Sequence, residues 1–147
     1  MIISNSSPLI ALGRIDRLDI FKSMFGEIYI PNAVYQETIV ETSLNNQREA
    51  ILNAIQAAII KVVEPSIDKV FNRKLGAGER GVLCLALEKN ADQIILDDKK
   101  ARNEAIELGL SVLYTADVLK GAEKRGLIMS YENIFDQLRD IGIYLPE

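Results

Sequence analysis

Short apolar runs alternating with helix-length amphipathic segments predict an α/β fold, three layers deep (α/β/α), with a mostly parallel central sheet. Three observations carry this expectation. The run Gln93-Ile94-Ile95-Leu96 is apolar and partly β-branched, as a strand buried on both faces must be. Met1 to Ser4 and Ser111 to Tyr114 read in the same way. Between these runs lie stretches with apolar residues at helical spacing, punctuated by glycine and proline. No internal repeat, low-complexity segment or linker divides the 147 residues, so one domain over 1–147 is expected, long enough to bury a core.

Each element has its own local reason. Ser7 before Pro8 marks a helix start, serine as N-cap and proline at the first helical position, and Gly13 ends that short helix. Asp16 to Phe25 is amphipathic, with Leu18, Ile20, Phe21 and Phe25 at helical spacing. Glu27 to Ile30 is a strand closed by Pro31, and Asn32 caps a helix to about Glu41. Thr42 to Asn46 is a polar loop. Gln47 to Ile60 is a long helix with Ile51, Leu52, Ile55 and Ile59 on one face, and Lys61 to Glu64 a short edge strand.

Pro65-Ser66 opens a helix to about Leu75, and Gly76-Ala77-Gly78 breaks the chain before another helix to about Asn90. After the Gln93 strand comes a helix from Lys99 to Leu108, with Gly109 past its end. Ser111 to Tyr114 is a strand, Thr115 caps a helix ending near Gly126, and Tyr131 to Ile141 is the last helix.

Composition narrows the chemistry. With 48% hydrophobic and 26% charged residues, the chain is globular rather than disordered. No apolar run approaches the roughly 20 residues that cross a bilayer, so no membrane association is expected. Met1-Ile2-Ile3-Ser4-Asn5 has no basic segment leading a long apolar one, unlike a signal peptide. The one cysteine, Cys84, lies in the apolar run Val82 to Leu87 and reads as a buried, inert thiol, consistent with a cytoplasmic location. Histidine is absent, which removes Ser-His-Asp and Cys-His mechanisms and His-liganded zinc. A metal here is held by oxygen, which selects Mg²⁺ or Mn²⁺.

Three apolar strands end at oxygen-bearing residues: the first at Asn5, the Gln93 strand at Asp97 and Asp98, the Ser111 strand just before Thr115 and Asp117. In a parallel sheet these ends share one edge, where ligands bind. Glu37, after the second strand, and Glu79, after Gly76-Ala77-Gly78, face the same edge. A pocket gathering Asn5, Glu37, Glu79, Asp97 or Asp98, and Asp117 would crowd carboxylates without a basic partner, and a divalent cation relieves that repulsion.

Taken singly, every acid has a plainer reading. Asp98 caps the helix at Lys99, and Asp117 and Glu79 favour a helix dipole from the first turn. Glu37 is an exposed helix residue beside Glu41. Joint placement distinguishes the metal reading, because capping does not require it. The net charge of −4 opposes nucleic-acid binding, an objection that weakens once acids surround a cation. Basic residues cluster at Arg73 and Lys74, at Lys99, Lys100 and Arg102, and at Lys120, Lys124 and Arg125, each cluster reading first as a solvated face.

Four motifs in order resemble the PIN domain, in particular a subgroup of small prokaryotic PIN proteins: Ile2-Ile3-Ser4-Asn5-Ser6-Ser7-Pro8-Leu9-Ile10-Ala11-Leu12, Ile30-Pro31-Asn32-Ala33-Val34-Tyr35-Gln36-Glu37, Leu75-Gly76-Ala77-Gly78-Glu79-Arg80, and Ile94-Ile95-Leu96-Asp97-Asp98 with Lys99, Lys100, Ala101 and Arg102. The resemblance covers nearly the whole chain. It implies a metal-dependent ribonuclease, often the toxin of a VapC-type toxin–antitoxin pair. The family's first strand-end acid falls on Asn5, its helix glutamate on Glu37 and its strand-end aspartate on Asp97 or Asp98. Glu79 matches the subgroup's Gly-Ala-Gly-Glu segment, and Asp117 the place of a final acid. Asparagine at position 5 departs from the acid: its carbonyl still ligates Mg²⁺ but carries no charge, so lower metal affinity and activity are expected.

The leading expectation is an endoribonuclease in which Glu37, Glu79, Asp97 and Asp117 are catalytic, with Asn5 a neutral ligand to one or two Mg²⁺ or Mn²⁺ ions. Asp97 is the strand-end ligand and Asp98 the cap. Lys99, Lys100 and Arg102 bind flanking phosphates. Ser7 fixes the first helix rather than attacking phosphorus, since no base activates it. The alternative is a weak or inactive PIN-like module that binds protein or RNA, which Asn5 favours. A receiver-like phosphotransfer domain ranks lower, because receivers place their acidic pair after the first strand. A homodimer and an antitoxin partner are expected. Gln47 to Ile60 with Phe21, Met24 and Phe25 is the surface considered for either, although such faces more often pack into a core.

Overall fold

In the computed structural model, which describes residues 1–147, five parallel strands form one sheet. They are β1 (Ile2–Ser4), β2 (Ile28–Ile30), β3 (Ile60–Val62), β4 (Gln93–Ile95) and β5 (Val112–Leu113), in the order β3-β2-β1-β4-β5. β1 is central, pairing Ile3 with Tyr29 of β2 on one side and Ile3 with Ile94 of β4 on the other. The chain therefore builds outward from β1 to β3, crosses back over the sheet, and builds outward again through β4 and β5. That reversal creates a switch point between β1 and β4, the place where open α/β sheets leave a crevice beyond their strand ends.

Helices cover both faces and make the α/β/α layers. They are α1 (Ser6–Arg14), α2 (Asp19–Phe25), α3 (Asn32–Tyr35), α4 (Asn45–Gln56), α5 (Ala77–Lys89), α6 (Lys99–Glu107), α7 (Thr115–Lys124) and α8 (Tyr131–Asp140). α3 runs directly into a widened π turn, Gln36–Val40. Strands of two or three residues supply few ladder hydrogen bonds, each worth about 1 kcal/mol net. Ile3, Ile28, Ile30 and Ile94 are all but fully buried, and burying such a side chain contributes about 1.5–3 kcal/mol. Burial, rather than ladder hydrogen bonding, decides that these segments become strands.

Several expected boundaries are corrected. α1 begins one residue before Ser7, with Asn5 at the N-cap position, and Pro8 sits further inside the first turn. Proline is tolerated there because first-turn N–H groups lack intrahelical partners in any case. α2 starts at Asp19, since Asp16 takes a left-handed backbone at φ 55°. α4 ends at Gln56: Ala58 turns left-handed, and Ile60 joins the edge strand instead. On α4 it is Gln47, Ile51 and Ala54 that are buried, while Leu52 is exposed.

The largest correction concerns Pro65 to Leu75, which is no helix but an irregular strap. Its backbone bonds to side chains far along the chain. Ser66 N–H donates to Glu88, Lys69 N–H to the buried Cys84 Sγ at 3.4 Å, and Asn72 N–H to Glu104 Oε1 at 2.6 Å. On the face considered for a partner, the favoured reading of core packing holds: Phe21 and Ile51 are core residues, and Met24 and Phe25 pack against that core. No helix is long and apolar enough to cross a membrane.

Candidate metal and nuclease site

Asn5 leaves β1 at the switch point and stands at the N-cap of α1. Its backbone N–H donates to the Ile95 carbonyl of β4 at 3.1 Å, which ties the two strand ends together. The side chain is only 4% exposed, and its Oδ1 is buried without any hydrogen-bond partner. A buried amide oxygen left unpaired costs about 1–3 kcal/mol. The fold retains that cost at the centre of its ligand crevice.

Glu37 stands on one side of Asn5. It lies in the π turn, closed by Glu41 N–H donating to the Gln36 carbonyl at 2.9 Å, and such widened turns gather at functional sites. Ser6, the residue after Asn5, donates its hydroxyl to Glu37 Oε2 at 2.6 Å. The N-terminus of α5 closes in from above. A Cβ on Gly78 would come within 2.7 Å of Glu37 Oε1, so any larger residue there would displace the carboxylate.

Asp97 stands on the other side, two residues beyond β4. Thr115 holds both of its oxygens: the backbone N–H donates to Oδ1 and the hydroxyl to Oδ2, each at 2.8 Å. Thr115 was expected to be the cap of α7; instead it is the first helical residue, after Tyr114, and its hydroxyl is spent on Asp97. Burial pushes the Asp97 carboxyl above its ordinary value, against the Thr115 hydrogen bonds and the nearby Arg102 charge, and Asp117 raises it further. Asp97 therefore holds its charge at a cost that an added cation would remove.

Of the other acids only Asp117 is near enough to act on Asp97, and all three are engaged at their own helix starts. Asp98 Oδ2 accepts from Ala101 N–H at 2.9 Å, so Asp98 is the N-cap of α6. Asp117 Oδ2 accepts from Tyr114 N–H at 2.8 Å, which caps α7. Glu79 curls back over its own helix start, where a Cβ on Gly76 would meet its Oε2 at 2.9 Å. No three Asp, Glu, His or Cys side chains gather closely enough to enclose an ion, which corrects the expectation of one shared pocket. First-turn acids satisfy local backbone donors before they reach across a crevice.

The remaining donors still fit a hard cation in kind. Mg²⁺ keeps several waters and takes one or two carboxylates together with substrate phosphate. An unpaired Asn5 Oδ1 and two hydroxyl-anchored carboxylates after the flanking strands are donors of that kind. No lysine or arginine forms an ion pair with Glu37, Glu79, Asp97, Asp98 or Asp117.

Of the basic residues, Lys99 and Lys100 are exposed in the first turn of α6. The Arg102 guanidinium sits 3.5 Å from the Tyr114 ring centroid and donates to the Leu96 carbonyl at 3.3 Å. Arg73 is committed elsewhere, to Glu104 and Glu107. Ser6 and Thr115 are the residues that sequence reasoning missed. Their signal was faint but present: each is a hydroxyl residue at a strand-to-helix junction, just past a strand end already under suspicion.

Comparison with known proteins agrees with this architecture. Residues 1–147 match the DUF3368 family, described as a PIN domain. Among solved structures, the chain is similar to a PilT N-terminus domain protein from the hyperthermophilic archaeon Sulfolobus solfataricus P2. The TM-score is 0.60 at 21% identity, covering 83% of this chain and 93% of that one, a likeness of fold. No curated protein matches in sequence.

Proposed function

This chain belongs to the PIN-domain family, whose members are in general metal-dependent nucleases, and from that premise we propose that it is an endoribonuclease using Mg²⁺ or Mn²⁺ at the Asn5, Glu37 and Asp97 edge. The observation that carries the reading is the buried, unpaired Asn5 Oδ1 at the end of the central strand, with Glu37 tied to the next residue, Ser6, and Asp97 following the neighbouring strand β4. Glu37, Asp97 and the Asn5 carbonyl are the residues that would hold the cation, with Asp117 adding charge close to Asp97. When bound, the cation lowers the pKa of water and offsets charge on the phosphate.

The side chains do the rest. Ser6 occupies Glu37 Oε2, which leaves Oε1 to face the cation, and a carboxylate of the cluster would take the proton from the attacking water. Thr115 fixes the plane of Asp97. Lys99, Lys100 and Arg102 serve as contacts to flanking phosphates, with Arg102 already oriented by Tyr114 and Leu96. The finer reading is the toxin of a toxin–antitoxin pair, acting as a homodimer and inhibited by an antitoxin protein. Co-expression with the neighbouring reading frame tests it: growth arrest by this chain alone, relieved by the second protein, is the supporting result.

Purified protein incubated with RNA and Mn²⁺ tests the nuclease reading. Cleavage is expected, with Glu37→Gln and Asp97→Asn each lowering it by at least about 100-fold, the scale for losing one preorganised charge stabiliser. Cleavage that survives both substitutions belongs to a contaminant and sinks the proposal. A second reading, a module that binds RNA or protein without cutting, draws on the neutral Asn5 and on the absence of three converging acids. Asn5→Asp separates the two: tighter Mn²⁺ binding with faster cleavage favours the enzyme, and tighter binding without cleavage favours the module.

A further inference from the structure

We propose that the C-terminal segment Gly142–Pro146 forms one wall of a pocket that takes an unpaired nucleobase of an RNA strand, next to the Asp97 carboxylate. For its substrate class the inference rests on the nuclease reading above. Gly142, at φ 83°, turns the chain out of α8, and Ile143 N–H anchors the turn on the Leu138 carbonyl at 2.9 Å. Extended residues then alternate. Ile143 and Leu145 pack against the core, while Tyr144 between them is 74% exposed. Beyond the segment, Glu147 lies 3.3 Å from the Lys120 amine of α7.

The segment faces Ser7, Ile10 and Ala11 of α1 across a hollow of about 320 Å³, and Asp97 lines the same hollow. That volume lies at the lower end of small-ligand pockets, about 300–1,000 Å³. Its walls are mostly apolar and carry one charged group. A phosphate is repelled by such a lining, whereas a flat, uncharged base is not. Tyr144 supplies the aromatic face on which an unpaired base stacks, the usual device for holding single-stranded RNA. Asp97 belongs both to this pocket and to the acidic edge, so a strand with its phosphate at the edge presents a neighbouring base to the hollow.

Fluorescence anisotropy with a labelled single-stranded oligoribonucleotide, in EDTA so that binding is read without cleavage, tests the pocket. Tyr144→Ala is expected to weaken binding about tenfold, within the range for losing one base–aromatic stack. Tyr144→Trp should bind at least as tightly as the parent. An abasic strand of equal length should bind the parent and Tyr144→Ala alike. Because Tyr144 is exposed, the thermal midpoint should not move, and that measurement guards against misfolding.

Equal binding of the base-bearing strand to parent and Tyr144→Ala overturns the proposal, as does failure of the parent to bind RNA. A Tyr144→Ala variant that changes only self-association overturns it too, by giving the pocket to a second copy. The nuclease reading fails independently. Mn²⁺-dependent cleavage with no Tyr144 effect sinks the pocket alone, and Tyr144-dependent binding without any cleavage sinks the nuclease alone.

Discussion

Glu104 and Asp97 are both carboxylates taken largely out of water, yet the fold treats them in opposite ways. Glu104, 2% exposed, receives the Arg73 guanidinium at 2.6 Å and the backbone N–H groups of Asn72 and Arg73. Its charge is answered within the chain, and what it does is pin the strap to α6. Asp97 receives two neutral donors from one threonine and no ion pair, beside an amide oxygen that has no partner at all. A buried charge is expensive unless paired. Where the chain closes an ion pair on the acid, the acid is structural; where it offers only neutral hydrogen bonds and the charge of an unpaired Arg102 nearby, the acid is prepared for a cation from outside.

The largest way to break this comparison is to remove the counter-charge from Glu104. Arg73→Leu leaves a buried carboxylate with only backbone donors. Removing one partner of a buried pair is destabilising because it leaves an uncompensated charge, an effect that the partial exposure of Arg73 moderates. Thermal unfolding should fall by about 5–10 °C. RNA cleavage per folded molecule should not change. A stable variant that has lost cleavage would reverse the assignment of roles.

Next come the hydroxyls that hold the candidate ligands. Thr115→Val keeps the backbone donor to Asp97 but removes the bond to Oδ2, and Ser6→Ala removes the bond to Glu37. Each should weaken Mn²⁺ binding by about tenfold, the lower end for groups that orient metal ligands. Isothermal titration with Mn²⁺ measures this directly; unchanged affinity in both variants would mean that neither carboxylate holds the ion.

Asp97 sharpens the contrast through the sign of its effect. Its folded pKa is raised above the ordinary 3.8. Its favourable contribution is therefore complete below that value and is lost as pH rises through the folded pKa. In EDTA at neutral pH, Asp97→Asn should raise the unfolding midpoint, since an amide satisfies Thr115 without a buried charge. Mn²⁺ should stabilise the parent, by about 2.7 kcal/mol at a hundredfold excess over Kd, and stabilise Asp97→Asn much less at the same concentration. A variant less stable than the parent in EDTA would show that the ionised carboxylate already serves the fold.

The legibility of the sequence follows the same division. β4 and its acids could be read because an apolar run stopping at a carboxylate is a local pattern, and so is the Asn5 junction after β1. The Pro65 to Leu75 strap could not. Proline followed by Ile67, Val70 and Phe71 imitates helical spacing, and what overrides it lies far off in sequence, at Cys84, Glu88 and Glu104. The convergence of acids was overestimated for a related reason: Asp98, Asp117 and Glu79 each find a use within their own helix start. The pocket under Tyr144 was invisible, because it exists only once the chain end crosses α1.

The smallest predicted effect separates two adjacent aspartates. Asp98 caps α6 through Ala101 N–H, a task that serine performs equally well, whereas a metal ligand or a source of edge charge does not survive that change. Asp98→Ser should leave stability within a few tenths of a kcal/mol, with Mn²⁺ affinity and cleavage unaltered. Asp98→Ala should cost about 1 kcal/mol of stability by loss of the cap, again without touching the metal. If Asp98→Ser keeps its stability but loses Mn²⁺ binding, then the exposed member of the pair belongs to the site after all. The rule drawn from Glu104, that an acid answered within the chain is structural, would then fail at the residue next to the one it was meant to explain.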